Sequence, residues 1–349
     1  MNRLVVPTPP AVASDRPQQT DTHLRGRRLL LARAGWLAVA AAALGLFVAG
    51  LPAEFAQLQV ECPTEFCPSG QLPPAGRLAL HDLGLSLGFV AAYGVALDVA
   101  FAVVYVAVAA LIFWRKSAER FALFVAFALL TFGTATFPEA MYALAAAYPA
   151  WWPPVAVLNF LGSASFGLFL YLFPDGRFVP RWTRWVALAW IAWQLPNYWF
   201  RDWPDVSTWT TGINAVVWSV ALGTVVYAQV YRYRRVSNAV QRQQTRWVVF
   251  GIAAALTAFL GIGLALAVVA PAPSSAEALA TLMVGIAIIY LAVLLIPLSI
   301  GAAMSRYHLF DVDLLINRTL VYGALTTALA LVYISSVVLL RYVLAPLTG

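Results

Sequence analysis

Residues 87–113 read LGFVAAYGVALDVAFAVVYVAVAALIF, an apolar run interrupted by one acid, Asp98. This run constrains the fold more than any other feature, because the hydrocarbon core of a bilayer takes about 20 consecutive apolar residues per helix. A strand of an outer-membrane barrel would alternate polar and apolar residues over about 10 positions. This run does not alternate, and several others along the chain resemble it. With 62% hydrophobic and 11% charged residues and a mean hydropathy of +0.79, the chain is far from the roughly one-quarter charged content of soluble domains. The expected fold is all-α: a polytopic membrane helix bundle of about nine transmembrane helices.

The spans are expected at residues 29–51, 87–113, 121–144, 154–173, 185–200, 212–231, 247–270, 278–301 and 319–340. Pro138 and Glu139 mark the outer end of the third, and Pro196 shortens the fifth. With a cytoplasmic N-terminus, 19 of the 22 Lys and Arg residues fall in inner segments, leaving Arg77, Arg201 and Arg341 outside. That asymmetry sets the topology by the positive-inside rule. The net charge of +7 therefore reads as a topology signal, and no nucleic-acid partner is expected. The localisation expected is the bacterial inner (plasma) membrane. An odd number of spans puts the end of the chain, residues 341–349, outside, which would suit a module cut from something longer.

Residues 1–28 are expected to form a basic, disordered cytoplasmic tail; the first 24 are polar and proline-rich. The nine-helix domain would occupy residues 29–340. Its first span is too long for the h-region of a cleavable signal peptide. No repeat of 20 to 50 residues is apparent, nor a matched pair of broken helices of the kind inverted-repeat transporters carry.

The largest outer segment, residues 52–86, holds both cysteines in ECPTEFCPSGQLPPAG. On this topology Cys62 and Cys67 face an oxidising compartment, where a local disulfide is expected to add about 2 kcal/mol. Free thiols are the alternative. A metal site would need two further ligands, and only His81 is near.

His23, His81 and His308 all lie outside the spans. Haem held between two helix histidines, an intramembrane serine–histidine pair and an HExxH metal site all require histidines where this chain has none. No catalytic residue, metal or cofactor is therefore expected. Ser163 and Ser165 read as helix-packing residues. Asp98 should face the bundle interior, either as a helix–helix hydrogen-bond partner or as a group that responds to a ligand or proton. Of the 13 tryptophans, most fall at interfaces as an aromatic belt; Trp199, Trp203 and Trp209, with Trp151 and Trp152, are also candidates for an outer ligand pocket.

Two inner loops stand out. In YLFPDGRFVPRWTRW a Pro-Asp-Gly turn precedes Arg177, Arg181 and Arg184, which suit anionic lipid headgroups. In YRYRRVSNAVQRQQTRWVVFG five arginines make an amphipathic connector, read mainly as a lipid anchor. Further on, SRYHLFDVDLLINRTLVYGALT links the eighth and ninth spans. Asp311 suits a helix N-cap and Asp313 its first turn. With Asn317 and Arg318 they form a joint into the last span, a structural rather than a chemical feature.

Together FLYLFPDGRFVPRWTRW, VQRQQTRWVVFGI, SRYHLFDVDLLINRTLVYGALTTALALVYISSVVLL and CPTEFCPSGQLPPAGRLALHDLGLSLGF resemble the N-terminal multispanning membrane region of bacterial sensor histidine kinases and related membrane proteins. The resemblance runs from about residue 30 onward. It implies a sensory or anchoring module in two-component signal transduction, with a cytoplasmic kinase module or a second copy of the chain as partner. The sequence has no phosphoacceptor box and no ATP lid, so no kinase residue carries over and no enzyme activity is expected. A small-molecule transporter or channel is the alternative, weakened by the isolation of Asp98.

Overall fold

The computed structural model describes residues 23–60, 71–174, 176–199, 207–235, 239–269 and 275–306. Ten α-helices carry almost all of this: α1 (Gly26–Leu58), α2 (Pro74–Asp82), α3 (Leu87–Lys116), α4 (Arg120–Thr131), α5 (Ala140–Ala147), α6 (Trp152–Leu172), α7 (Thr183–Trp199), α8 (Ser207–Arg235), α9 (Ala239–Val269) and α10 (Ala276–Arg306).

Four helical segments are long and apolar enough to cross a bilayer: Gly26–Leu58, Leu87–Lys116, Pro149–Leu172 and Ala276–Gly301. Arg120–Thr136 and Ala140–Ala147, which meet at 51°, make a fifth if the bent pair is counted as one span. Among the described residues the count is thus four or five rather than nine. α7 has 17 residues, and the described apolar stretch of α9 is Val248–Gly263. The expected ninth span and the Asp311, Asp313, Asn317 and Arg318 joint lie outside the described residues, as do Cys62, Cys67 and His308.

The break between α4 and α5 follows from its sequence. α4 widens into a π turn over Phe132–Thr136, and Pro138 then removes an amide that a continuing helix would need. Gly133 permits the turn to lie against α3, since a Cβ there would fall 2.2 Å from Cβ of Tyr105. Elsewhere the expected boundary moves: α1 does not stop at residue 51 but runs through Pro52 to Leu58.

Packing ties these helices into one bundle. α1 lies against α3 and α5, α4 against α3 and α6, and α10 against α3 and α9. Its centre is aromatic, with Phe132 stacked on Phe166 and Phe101 on Tyr105 and Phe137. α3 and α10 run parallel, joined by Tyr93 Oη donating to the Met283 carbonyl at 2.8 Å and Tyr105 Oη to that of Val293 at 3.0 Å. At one end of the bundle Arg33 Nε donates to Ser117 Oγ (2.8 Å), and Leu24 N–H to the Ala118 carbonyl (2.7 Å). Leu30, Leu31, Leu37, Val48 and Phe55 of α1 point outward and stay exposed. Such a face is matched by lipid rather than by water.

Candidate functional site

Opposite the Arg33–Ser117 end, a cavity of about 400 Å³ opens among α1, α3, α10 and the α4–α5 break. Three carboxyl groups line it, from Glu54, Asp98 and Glu139. Each arrives from a different element, and the local sequence explains how.

Asp98 sits on α3 at 1% exposure. A carboxyl group removed from water is tolerated when it carries its proton, meets donors or faces a cation. Asp98 meets donors. The break between α4 and α5 leaves the first amides of α5 without an intrahelical acceptor, and the Glu139 N–H donates to Asp98 Oδ2 at 2.6 Å. Asp98 thereby caps α5 from another helix, with a carboxyl at the positive end of the helix dipole. Tyr290 Oη of α10 donates to Asp98 Oδ1. The Tyr290 ring is fixed edge-on against Phe101 and Phe137, at centroid distances of 5.4 and 5.0 Å. One side chain thus joins α3, α5 and α10.

Glu54 comes from α1, one turn beyond Gly50. A Cβ on Gly50 would lie 2.1 Å from the Ala140 carbonyl oxygen, so glycine lets α1 cross the start of α5 backbone to backbone. That crossing delivers the Glu54 carboxyl to the cavity, where it interacts with those of Asp98 and Glu139. Glu54 is 4% exposed, and its Oε2 has no hydrogen-bond partner. An orphaned buried acceptor of this kind costs about 1–3 kcal/mol. Glu139 itself is exposed, at the cavity mouth. The lining has no Lys, Arg or His among the described residues, so any charge it carries is negative.

Asp98 was legible as a buried acid, and its expected helix–helix bonding is present. Its isolation was not correct. Glu54 falls in the outer segment expected over residues 52–86, and Glu139 at the expected outer end of the third span. Their signal was topological: all three acids fall toward the outer side on the expected topology.

The described tryptophans that border a cavity are not those of the expected outer pocket. Trp199 is 51% exposed, Trp151 46%, and neither lines a cavity described here. Trp203 and the side chain of Trp209 lie outside the description. Instead Trp190 and Trp218, in edge-to-face contact at 5.4 Å, border a second, apolar cavity of about 270 Å³ with Phe132, Phe166 and Tyr171. Ser163 and Ser165 pack as expected: Gln194 Nε2 donates to Ser163 Oγ at 2.8 Å, and Ser165 Oγ lies 3.4 Å from Thr131 Oγ1.

One inner-loop arginine departs from the expected lipid anchor. Arg232 is 3% exposed and donates to the carbonyls of Tyr171, Leu172, Phe173 and Arg177. Gln229 Nε2 adds a bond to the Leu170 carbonyl at 2.6 Å. The cation closes the C-terminus of α6, where the helix dipole favours it.

The fold and the cavity define a helical membrane protein with an acidic chamber at one end of its bundle. No family model, curated protein or solved structure matches the chain.

Proposed function

We propose that the chain is a multipass sensory module of the bacterial plasma membrane, crossing nine times from a cytoplasmic N-terminus. Its stimulus enters the Glu54–Asp98–Glu139 cavity. One observation carries this reading: Asp98 is bonded to both the broken α4–α5 segment and α10 at the wall of that cavity. An occupant that competes for Asp98 alters how three helices are held, and α10 carries the change to its far end at Arg306. Only such differential contact lets a ligand shift a two-state equilibrium. The joint at residues 311–318 would receive the movement, and a cytoplasmic kinase module or a second copy of the chain would read it. Anionic lipids would hold the inner loops through Arg181 and Arg184.

The parallel course of α3 and α10 supports the higher crossing count. If α4–α5 forms one span and only it and α6 crossed between them, α10 would run antiparallel to α3; the parallel course therefore favours an odd number of crossings among α7, α8 and α9. Three crossings give the nine-span topology once residues 319–340 are included.

Amide exchange on the full chain in lipid nanodiscs tests the coupling. Asp98→Asn is expected to change protection several-fold across residues 299–318, remote from the cavity. Changes confined to the cavity lining would contradict a sensory role. A transport reading draws on the broken span beside three acids, a combination that marks substrate pathways in membrane proteins. It predicts solute uptake into proteoliposomes that Asp98→Asn abolishes.

A further inference from the structure

We propose that the acidic cavity binds an amphipathic primary amine, its ammonium at Glu54 and its aryl or alkyl body against the α10 wall. This deepens the sensory reading by giving its stimulus a chemical class, and it rests on that reading for the meaning of the binding.

The site lacks a donor in one place. Both oxygens of Asp98 are occupied, by the Glu139 N–H and by Tyr290 Oη. Glu54 Oε2, on a side chain 4% exposed and lining the same cavity, accepts nothing. Its complement is a group that brings both an N–H and a positive charge into a chamber whose lining, among the described residues, supplies no cation. A metal ion is a poor fit. Among the described residues no set of three or more His, Cys, Asp and Glu side chains is arranged to hold one, and hard cations ask for six or more oxygens.

The remainder of the cavity selects the body of the ligand. Acids gather on the α1, α3 and α4–α5 sides, whereas α10 offers Leu279, Leu282, Met283 and Ile286. A polyamine would leave charge against that apolar wall; a single ammonium on a hydrocarbon body would not. Tyr93 and Tyr290 add aromatic rings suited to a cation beside them. At about 400 Å³ the chamber falls in the range of small-molecule pockets.

The test is equilibrium binding of radiolabelled 2-phenylethylamine to the full chain in nanodiscs, with competition by unlabelled analogues. Saturable binding is expected, displaced by butylamine but not by 2-phenylethanol, which lacks the charge, or tetramethylammonium, which lacks the N–H. Glu54→Gln should weaken binding by about tenfold or more, and Glu54→Asp should restore most of it. No saturable binding at millimolar amine would overturn the proposal, as would equal displacement by tetramethylammonium or the alcohol, or equal affinity in a folded Glu54→Gln protein. Should Glu54→Gln fail to fold, the competition series on the native chain still decides. Absent binding with Asp98→Asn still altering residues 299–318 would remove the amine and keep the sensory role; binding without that coupling would do the reverse.

Discussion

Both oxygens of Asp98 are held by donors from other helices, so substitutions separate its charge from its geometry. Asparagine can keep its oxygen on the Glu139 N–H and turn its amide toward Tyr290 Oη, at a cost of about 1 kcal/mol. Leucine strands both donors, and Asp98→Leu should cost about 3 kcal/mol. Thermal unfolding in detergent would order the two. Gly50 offers a sharper contrast. Gly50→Ala drives a Cβ into the Ala140 carbonyl, and a loss of roughly 1–3 kcal/mol is expected for overpacking. Gly45, on the same helix, has nothing within 4 Å of its would-be Cβ. There alanine should stabilise by about 0.5–1 kcal/mol through helix propensity. Equal effects at the two sites would mean that α1 and α5 do not meet as described.

Among the elements, the α4–α5 break and the α6 terminus carry the departures from sequence expectation. Replacing Arg232 with methionine removes the donor shared by four carbonyls around the end of α6. A loss of about 2–3 kcal/mol is expected, with faster protease cleavage within residues 173–182; unchanged cleavage would contradict the clamp. Apolar periodicity made α1, α3, α6 and α10 legible, since each is a long run that only a helix can carry through lipid. It could not reveal Arg232, because a connector rich in arginine reads the same whether a given guanidinium faces lipid or folds back on a helix end. The cavity was hidden for a related reason. The apolar run suggests a first span ending at residue 51, yet α1 continues past Pro52 into Glu54, with α3 and α5 packed against it. Where tertiary contacts hold a helix together, a local breaker no longer marks its boundary.

For the whole molecule, the orientation and the cavity stand together. Chain direction places the Glu54 end of α1, the start of α3 and the start of α10 at one end of the bundle, and Arg33, Arg115, Lys116 and Arg120 at the other. On the proposed topology, charge asymmetry would put the basic end in the cytoplasm and the acidic chamber outside. A stimulus from outside the cell can reach Glu54 only if that assignment is right. Single cysteines at Gln71, beside the cavity, and at Arg181, in the basic loop, test it directly in a chain whose Cys62 and Cys67 are replaced by serine. With a membrane-impermeant maleimide, the reporter at 71 should label in intact cells and the one at 181 only after permeabilisation. Labelling at 181 in intact cells, with 71 protected, would contradict the account.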